Sequence, residues 1–474
     1  MSIGWLRLVI ALIAAASACG CVSLPEVHPW VAGATGRAPT MVGSKGTLTP
    51  AQTARILARI RGKYDSDLLE RHMAIEEEVS GSPLTLGNSA TRLLDGPSFY
   101  RSMFEAIEAA RDHVNVEFYI VEDDEVGRQF ADLLLRKAAQ GLSVNLIYDS
   151  VGSLETPRAY FDRLRDGGVK VVEYNPVNPL RARGDWRLNN RNHRKVVIVD
   201  GRVGYTGGIN ISSVYSSGSS PGRMRGFTGS SGGRSRMSGG SGGGSVGWRD
   251  TNVRLEGPAI AQLQKLFLGT WEKQHGEPLP ERDWFPDVAR SGAAPVRIIA
   301  SGPANPVPAI YVSLLSAIMF AEKSVHITMA YFVPDPQTME ALTAAAKRGV
   351  DVALVLPSYT DFWAVFHAGR SHYSELLEAG VRIYERQTAL LHAKTIVVDG
   401  VWSSIGSSNM DWRSFLHNEE LNAVVLGSTF GAQMDAVFER DIRESVRIER
   451  AAWDERPMSV RGKEWAARVC EYWL

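Results

Sequence analysis

The chain runs through one pattern twice. "FYRSMFEAIEAARDHVNVEFYIVEDD" followed by "LLLRKAAQGLSVNLIYDS" in the first half is matched by "IYVSLLSAIMFAEKSVHITMAYFVPD" followed by "LTAAAKRGVDVALVLPS" in the second. In each copy a helical period gives way to a β-rich apolar run, then to a helix ending near Gly141 or Gly349, then to another strand. Such alternation predicts α/β units around a covered, parallel or mixed sheet. Its repetition predicts two similar halves, and 474 residues suffice for two cores.

Both copies continue through "LRDGGVKVVEYN" or "LLEAGVRIYER" and then reach the same motif, "NHRKVVIVDGRVGYTGGIN" (192 to 210) and "LHAKTIVVDGVWSSIGSSN" (391 to 409). Residues i and i+2 of a strand share a face, so His193 projects with Lys195 and His392 with Lys394. A protonated lysine has no lone pair to give a metal, so no metal is expected, and the natural guest is an anion. Asn210 and Asn409, in "GGIN" and "GSSN", add phosphate donors of little charge at what reads as a turn into a helix. Asp200 and Asp399 complete the motif and are grouped with its catalytic set. Their odd parity and their neighbours Gly201 and Gly400 nevertheless favour a turn or hydrogen-bonding role. Of ten histidines, only His193 and His392 stand in H-x-K-x4-D-x6-G-x-x-N. Packing about a pseudo-twofold axis would join the copies into one pocket with two imidazoles, two ammonium groups and two amides, a set suited to a phosphodiester.

This doubled signature resembles the phospholipase D superfamily, over nearly everything from about Leu86 onward. Within it, "EFYIVEDD", "RNHRKVVIVDG", "WRDTNVRLEG" and "YFVPD" are most similar to bacterial cardiolipin synthases. The resemblance implies an α/β fold of two phospholipase D-like halves sharing one active site, working without cofactor. It also implies that His193 attacks phosphorus to form a phosphohistidine, while His392 protonates the leaving alcohol and deprotonates the acceptor. The two roles are exchangeable by symmetry. Lys195, Lys394, Asn210 and Asn409 would hold the nonbridging oxygens. Near neutral pH one imidazole is expected neutral and the other charged, the pair titrating together.

Each histidine needs a group to fix its tautomer. Aligning "DTNVRLEG" (250 to 257) with "ELNAVVLG" (420 to 427) singles out Asp250 and Glu420 as the orienting pair, with Glu419 the competitor to Glu420. Gly208 stands where the family more often has Ser. The implied reaction makes cardiolipin from two phosphatidylglycerols and releases glycerol. The same chemistry also permits phospholipid hydrolysis or, less readily, nuclease action.

The 52 basic and 52 acidic residues cancel, which disfavours nucleic acid as a partner, although Arg181, Arg183, Arg187 and Arg191 form a local cluster. Three cysteines are too few for a disulfide framework. Residues 1–21 read as an export leader, with Arg7, an apolar run and Ala16-Ser17-Ala18 before Cys19. That end resembles a bacterial lipoprotein cleavage box, except that Ala16 stands where Leu is usual. It leaves open a cleaved signal, a lipid anchor through Cys19 or an uncleaved anchor.

Residues 22–85 are expected to form a loosely packed tether followed by amphipathic helices. Residues 86–290 are the first half, with a mobile Gly/Ser-rich insertion near 215–245 tinged by Arg223, Arg225, Arg234 and Arg236, and 291–474 are the second half. Phe362, Trp363 and Phe366, like Trp465, Tyr472 and Trp473, are candidates for lipid contact, with core packing the alternative. The expected partners are phospholipids and a membrane surface, with no obligatory protein partner.

Overall fold

The computed structural model describes residues 23–34, 38–43, 46–61, 67–181, 186–217, 247–360 and 362–474. The leader with Cys19 and Cys21, Arg183, and all of the insertion beyond Ser217 lie outside the described residues.

The repeat becomes two similar mixed sheets. In the first, strands Asn252–Glu256, Val203–Gly207, Val196–Val199, His113–Phe118, Ser143–Asp149 and Lys170–Tyr174 lie side by side, the last three mutually parallel. In the second, Asn418–Leu426, Trp402–Gly406, Lys394–Val398, Ser324–Met329, Asp351–Pro357 and Arg382–Arg386 repeat that order and those directions. The long strand Leu84–Leu93 joins them. Its C-terminal part pairs with Asn252–Glu256, while Thr85 and Asn88 pair with Ala294–Ser301, which in turn pairs with Asn418–Leu426.

Local chemistry repeats too. Helix Glu125–Ala139 starts where Asp124 accepts the Gly127 N–H at 2.9 Å, and the chain leaves it through Gly141 at φ 86°. Helix Pro336–Lys347 starts where Asp335 accepts the Thr338 N–H at 3.0 Å, and the chain leaves it through Gly349 at φ 91°. Each sheet buries one face under its own helices. Between them, a third cluster takes Val196, Ile198 and Val253 from one half and Val397, Ile405 and Leu421 from the other. The two halves therefore share a core as well as a strand.

The N-terminal expectation needs correction. Val27 and Met41 are fully buried, His28–Gly33 is a helix, and Met41–Gly43 pairs with the start of Leu84–Leu93. Behind it, Glu76 accepts from Arg297 at 2.9 Å and from Ser313 at 2.8 Å, locking helix Met73–Ser80 onto the second half. The low apolar content of residues 22–48 concealed a few anchors that are enough to pack it. Among the described residues, no helix is long and apolar enough to cross a membrane.

Candidate active site

His193 and His392 sit at the entrances to strands Val196–Val199 and Lys394–Val398, whose apolar runs are buried. Each entrance is stitched to the opposite half. Arg191–Asn192 pairs in parallel with Asn418–Glu419, and the His193 N–H donates to the Glu419 carbonyl at 2.9 Å. Correspondingly, Trp248–Arg249 pairs with Leu390–Leu391, and the His392 N–H donates to the Arg249 carbonyl at 2.8 Å.

That stitching sets the carboxylates crosswise. Nδ1 of His193 lies 2.9 Å from Oε1 of Glu420, which belongs to the second half, and Nδ1 of His392 lies 2.7 Å from Oδ2 of Asp250, which belongs to the first. A carboxylate on Nδ1 holds the proton there and leaves Nε2 as the free base. Both carboxylates are fully buried, whereas the histidine side chains keep 12% and 10% exposure, enough for a substrate to reach them. Glu419 points elsewhere, bonding Arg194 at 2.6 Å and Lys273 at 2.7 Å. Arg249 anchors the Asp250 strand through two bonds to buried Asp441, at 3.0 and 2.8 Å, and Asp441 also accepts from Arg386 at 2.7 Å.

The copies are not identical. The Ser407 hydroxyl donates to Glu420, but Gly208 holds the corresponding place beside Asp250. A Cβ at 208 would come 2.3 Å from Asp250 Oδ1, so this carboxylate fills the space a side chain would need.

Lys195 and Lys394 each donate to the carbonyl of their own histidine at 2.6 Å. Charge on either lysine lowers the pKa of both histidines, placing all four groups in one electrostatic field. Burial, then the two lysines, bring His193 down to about 4 against the pull of Glu420. His392 is lowered first by burial and then by Lys394. Both shifts favour neutral imidazoles in the free site, where the sequence led us to expect one neutral and one charged; the negative charge of a bound phosphodiester would favour protonation. Burial pushes the Glu420 carboxyl up, but His193, Lys195 and Ser407 outweigh it and hold it at about 2, so it stays anionic. Lys195 falls well below the usual lysine range, again through burial.

Asn210 and Asn409 are buried beside this group, with different partners. The Asn210 amide oxygen accepts the Ile120 N–H at 3.1 Å and its nitrogen donates to the Tyr215 hydroxyl at 3.1 Å. A single-turn 3-10 helix, Ser213–Tyr215, follows Asn210, and a short α-helix, Trp412–Leu416, follows Asn409.

Asp200 and Asp399 do not join the site, contrary to their grouping with the catalytic set. Asp200, at φ 52°, accepts the N–H groups of Arg111, Asp112 and His113, and Asp399, at φ 53°, accepts those of Glu322, Lys323 and Ser324. Both fasten the turn after the motif strand to the start of its neighbour. The arginine cluster is likewise structural in part, since Arg191 pairs with Asp149 and Arg181 with Glu173. Sequence reasoning missed the aromatic walls. Tyr119 lies 5.1 Å from the His193 ring, and Trp248 and Tyr215 lie 5.4 and 5.7 Å from that of His392. Only their nearness to the motifs signalled them. Among the described residues no cluster of His, Cys, Asp and Glu is arranged to hold a metal ion.

Two α/β halves that present paired His-Lys motifs to one another define an enzyme of the phospholipase D superfamily. The family described as "Cardiolipin synthase, PLD-like domain" matches residues 103–217 and 314–442, and the chain belongs to it. It is 36% identical over 394 residues to a cardiolipin synthase of Geobacillus kaustophilus, spanning 82% of this chain and 73% of that protein. Cardiolipin synthase 1 of Staphylococcus epidermidis is 35% identical over 391 residues, 81% of this chain and 74% of the relative. Among solved structures, a phosphatidylserine synthase of Haemophilus influenzae shares the fold. It has a TM-score of 0.60 at 12% identity and covers 85% of this chain and all of that one.

Proposed function

We propose that this enzyme transfers the phosphatidyl group of one phosphatidylglycerol to a glycerol hydroxyl of another, giving cardiolipin and glycerol. The observation that carries the mechanism is the pair of imidazoles whose Nδ1 atoms are each tied to a buried carboxylate. Neutral His193 offers the Nε2 lone pair to phosphorus, and the P–O bond to glycerol breaks as the N–P bond forms. His392, charged once the phosphodiester is bound, gives its Nε2 proton to the departing glycerol oxygen. The hydroxyl of the second lipid then loses its proton to His392 and attacks phosphorus, breaking the N–P bond and restoring neutral His193. Lys195, Lys394, Asn210 and Asn409 hold the nonbridging oxygens. The leader and its Cys19 support an exported, membrane-associated enzyme anchored by lipid.

The test is incubation with labelled phosphatidylglycerol in mixed micelles and chelator, beside a His193→Ala control. Cardiolipin and glycerol in equal amounts, lost in the control, are expected. Phosphatidic acid alone would replace transfer by hydrolysis, and no lipid turnover would overturn the reading.

A further inference from the structure

The C-terminal helix, Met458–Arg468, faces the wrong way for an ordinary surface helix. Its inner side buries Glu464, 2% exposed and held by Arg456 at 2.9 Å, together with Ala467. Its outer stripe, continued past the helix end, carries Met458 at 76%, Trp465 at 72% and Val469 at 66% exposure. An amphipathic helix on a water-facing surface turns such large apolar side chains inward. Helix Trp363–Arg370 packs against it through Val365, Ala368 and Ala467, and leaves Phe362 and Trp363 exposed at its own start. Phe366 and Tyr472, by contrast, are half-buried and packed on neighbours.

The patch stands at the end of the sheet that bears the site. Strand Ser324–Met329 ends with Met329 opposite Lys394, and the chain beyond it bonds through the Val333 N–H to the carbonyl of Met410, next to Asn409. Strand Asp351–Pro357 runs parallel to it, finishes at the same end and leads into Phe362 and Trp363. The first half does likewise. Asp149, last in its strand, accepts the Asn192 N–H beside His193, and the connections beyond that sheet end expose Leu154, Leu180 and Leu188.

Charge decides the occupant. The exposed charges of the C-terminal helix are Arg461, Lys463 and Arg468, the last 4.0 Å from Glu471; its sole acid is the buried Glu464, and Asp454 and Glu455 lie exposed just before it. Aromatic and apolar side chains rimmed by cations complement an anionic headgroup layer. The geometry points to this end of the molecule as a docking surface for an anionic phospholipid bilayer. The Trp465 stripe seats at headgroup level, and the His193–His392 pocket opens toward the lipid. Docking itself stands apart from the transfer reaction; its effect on rate rests on the phosphatidylglycerol reading above.

The test uses the full chain with vesicles of equal parts phosphatidylglycerol and phosphatidylcholine. Brominated acyl chains quench tryptophans that reach them, and the difference between wild type and Trp465→Phe isolates this one ring. Quenching specific to Trp465 is expected. In the Trp465→Glu/Val469→Glu variant, turnover of vesicle phosphatidylglycerol should fall by at least about tenfold, the factor that 1.4 kcal/mol of lost seating gives. Turnover of monomeric short-chain phosphatidylglycerol should stay unchanged. Met458→Glu, on the same stripe, should show the same split if the double variant melts early. No Trp465-dependent quenching, or equal losses on both substrates, would overturn the docking surface. If wild type turns over neither lipid, the transferase reading fails while quenching still decides docking.

Discussion

Glu420 and Asp250 act on their histidines through one hydrogen bond each, and their value to catalysis should exceed their value to folding. Glu420→Gln keeps the shape but lets the amide present an N–H to His193, favouring the wrong tautomer. We expect kcat to fall by roughly 100-fold or more, as loss of a histidine-orienting carboxylate does elsewhere. Rapid-quench assay of the phosphoenzyme should place the loss in its formation. pH acts on the same residues. His193 folds at about 4 from an ordinary 6.5, so the unfolded chain binds more protons between those values and stability falls as pH drops through that window. Glu420, at about 2 against 4.5, extends the loss below pH 4.5. Melting temperature should thus decline from pH 6.5 downward, and kcat/KM should show an acid limb near pH 4 as His193 protonates.

At the scale of elements, strand ends do the positioning. Asp441 is fully buried between Arg249 and Arg386, and removing its charge leaves two guanidinium groups poorly compensated. Asp441→Asn should cost about 3 kcal/mol in denaturant unfolding and should lower activity too, because Asp250 follows Arg249 directly. Asp200→Ala differs. It orphans three N–H groups at a turn, so a loss of about 1–3 kcal/mol is expected with kcat nearly unchanged in the folded fraction. The strands and their alternation with helices were legible because the apolar runs of "VNLIYD" and "VALVLP" are buried and repeat, whereas their order in the sheet was not. The packing of residues 22–48 was not, since Val27 and Met41 act through distant partners that no local periodicity reveals.

For the whole molecule, alignment of the repeats named Asp250 and Glu420 but left open which histidine each serves. Only the packing of one half on the other decides that, and it chose the crosswise arrangement. Tyr119 and Trp248 escaped for the same reason, being aromatics in strand contexts where core packing is the usual fate. Because all the paired groups come from one chain, specific activity should stay constant on dilution, with light scattering recording the oligomeric state. Mixing His193→Ala with His392→Ala chains should restore none of it. Recovered turnover in that mixture would place the working site between chains.

The crosswise carboxylates also act as a safety catch. A chain still being made, or one whose halves have not closed, already has both imidazole rings and both lysines, yet neither ring has the anion that fixes its proton. Reactivity toward phosphodiesters is therefore armed only by completed assembly, as a lock that needs two keys turned together. A reagent able to cut the lipids around it stays inert until it has become the machine that rejoins them.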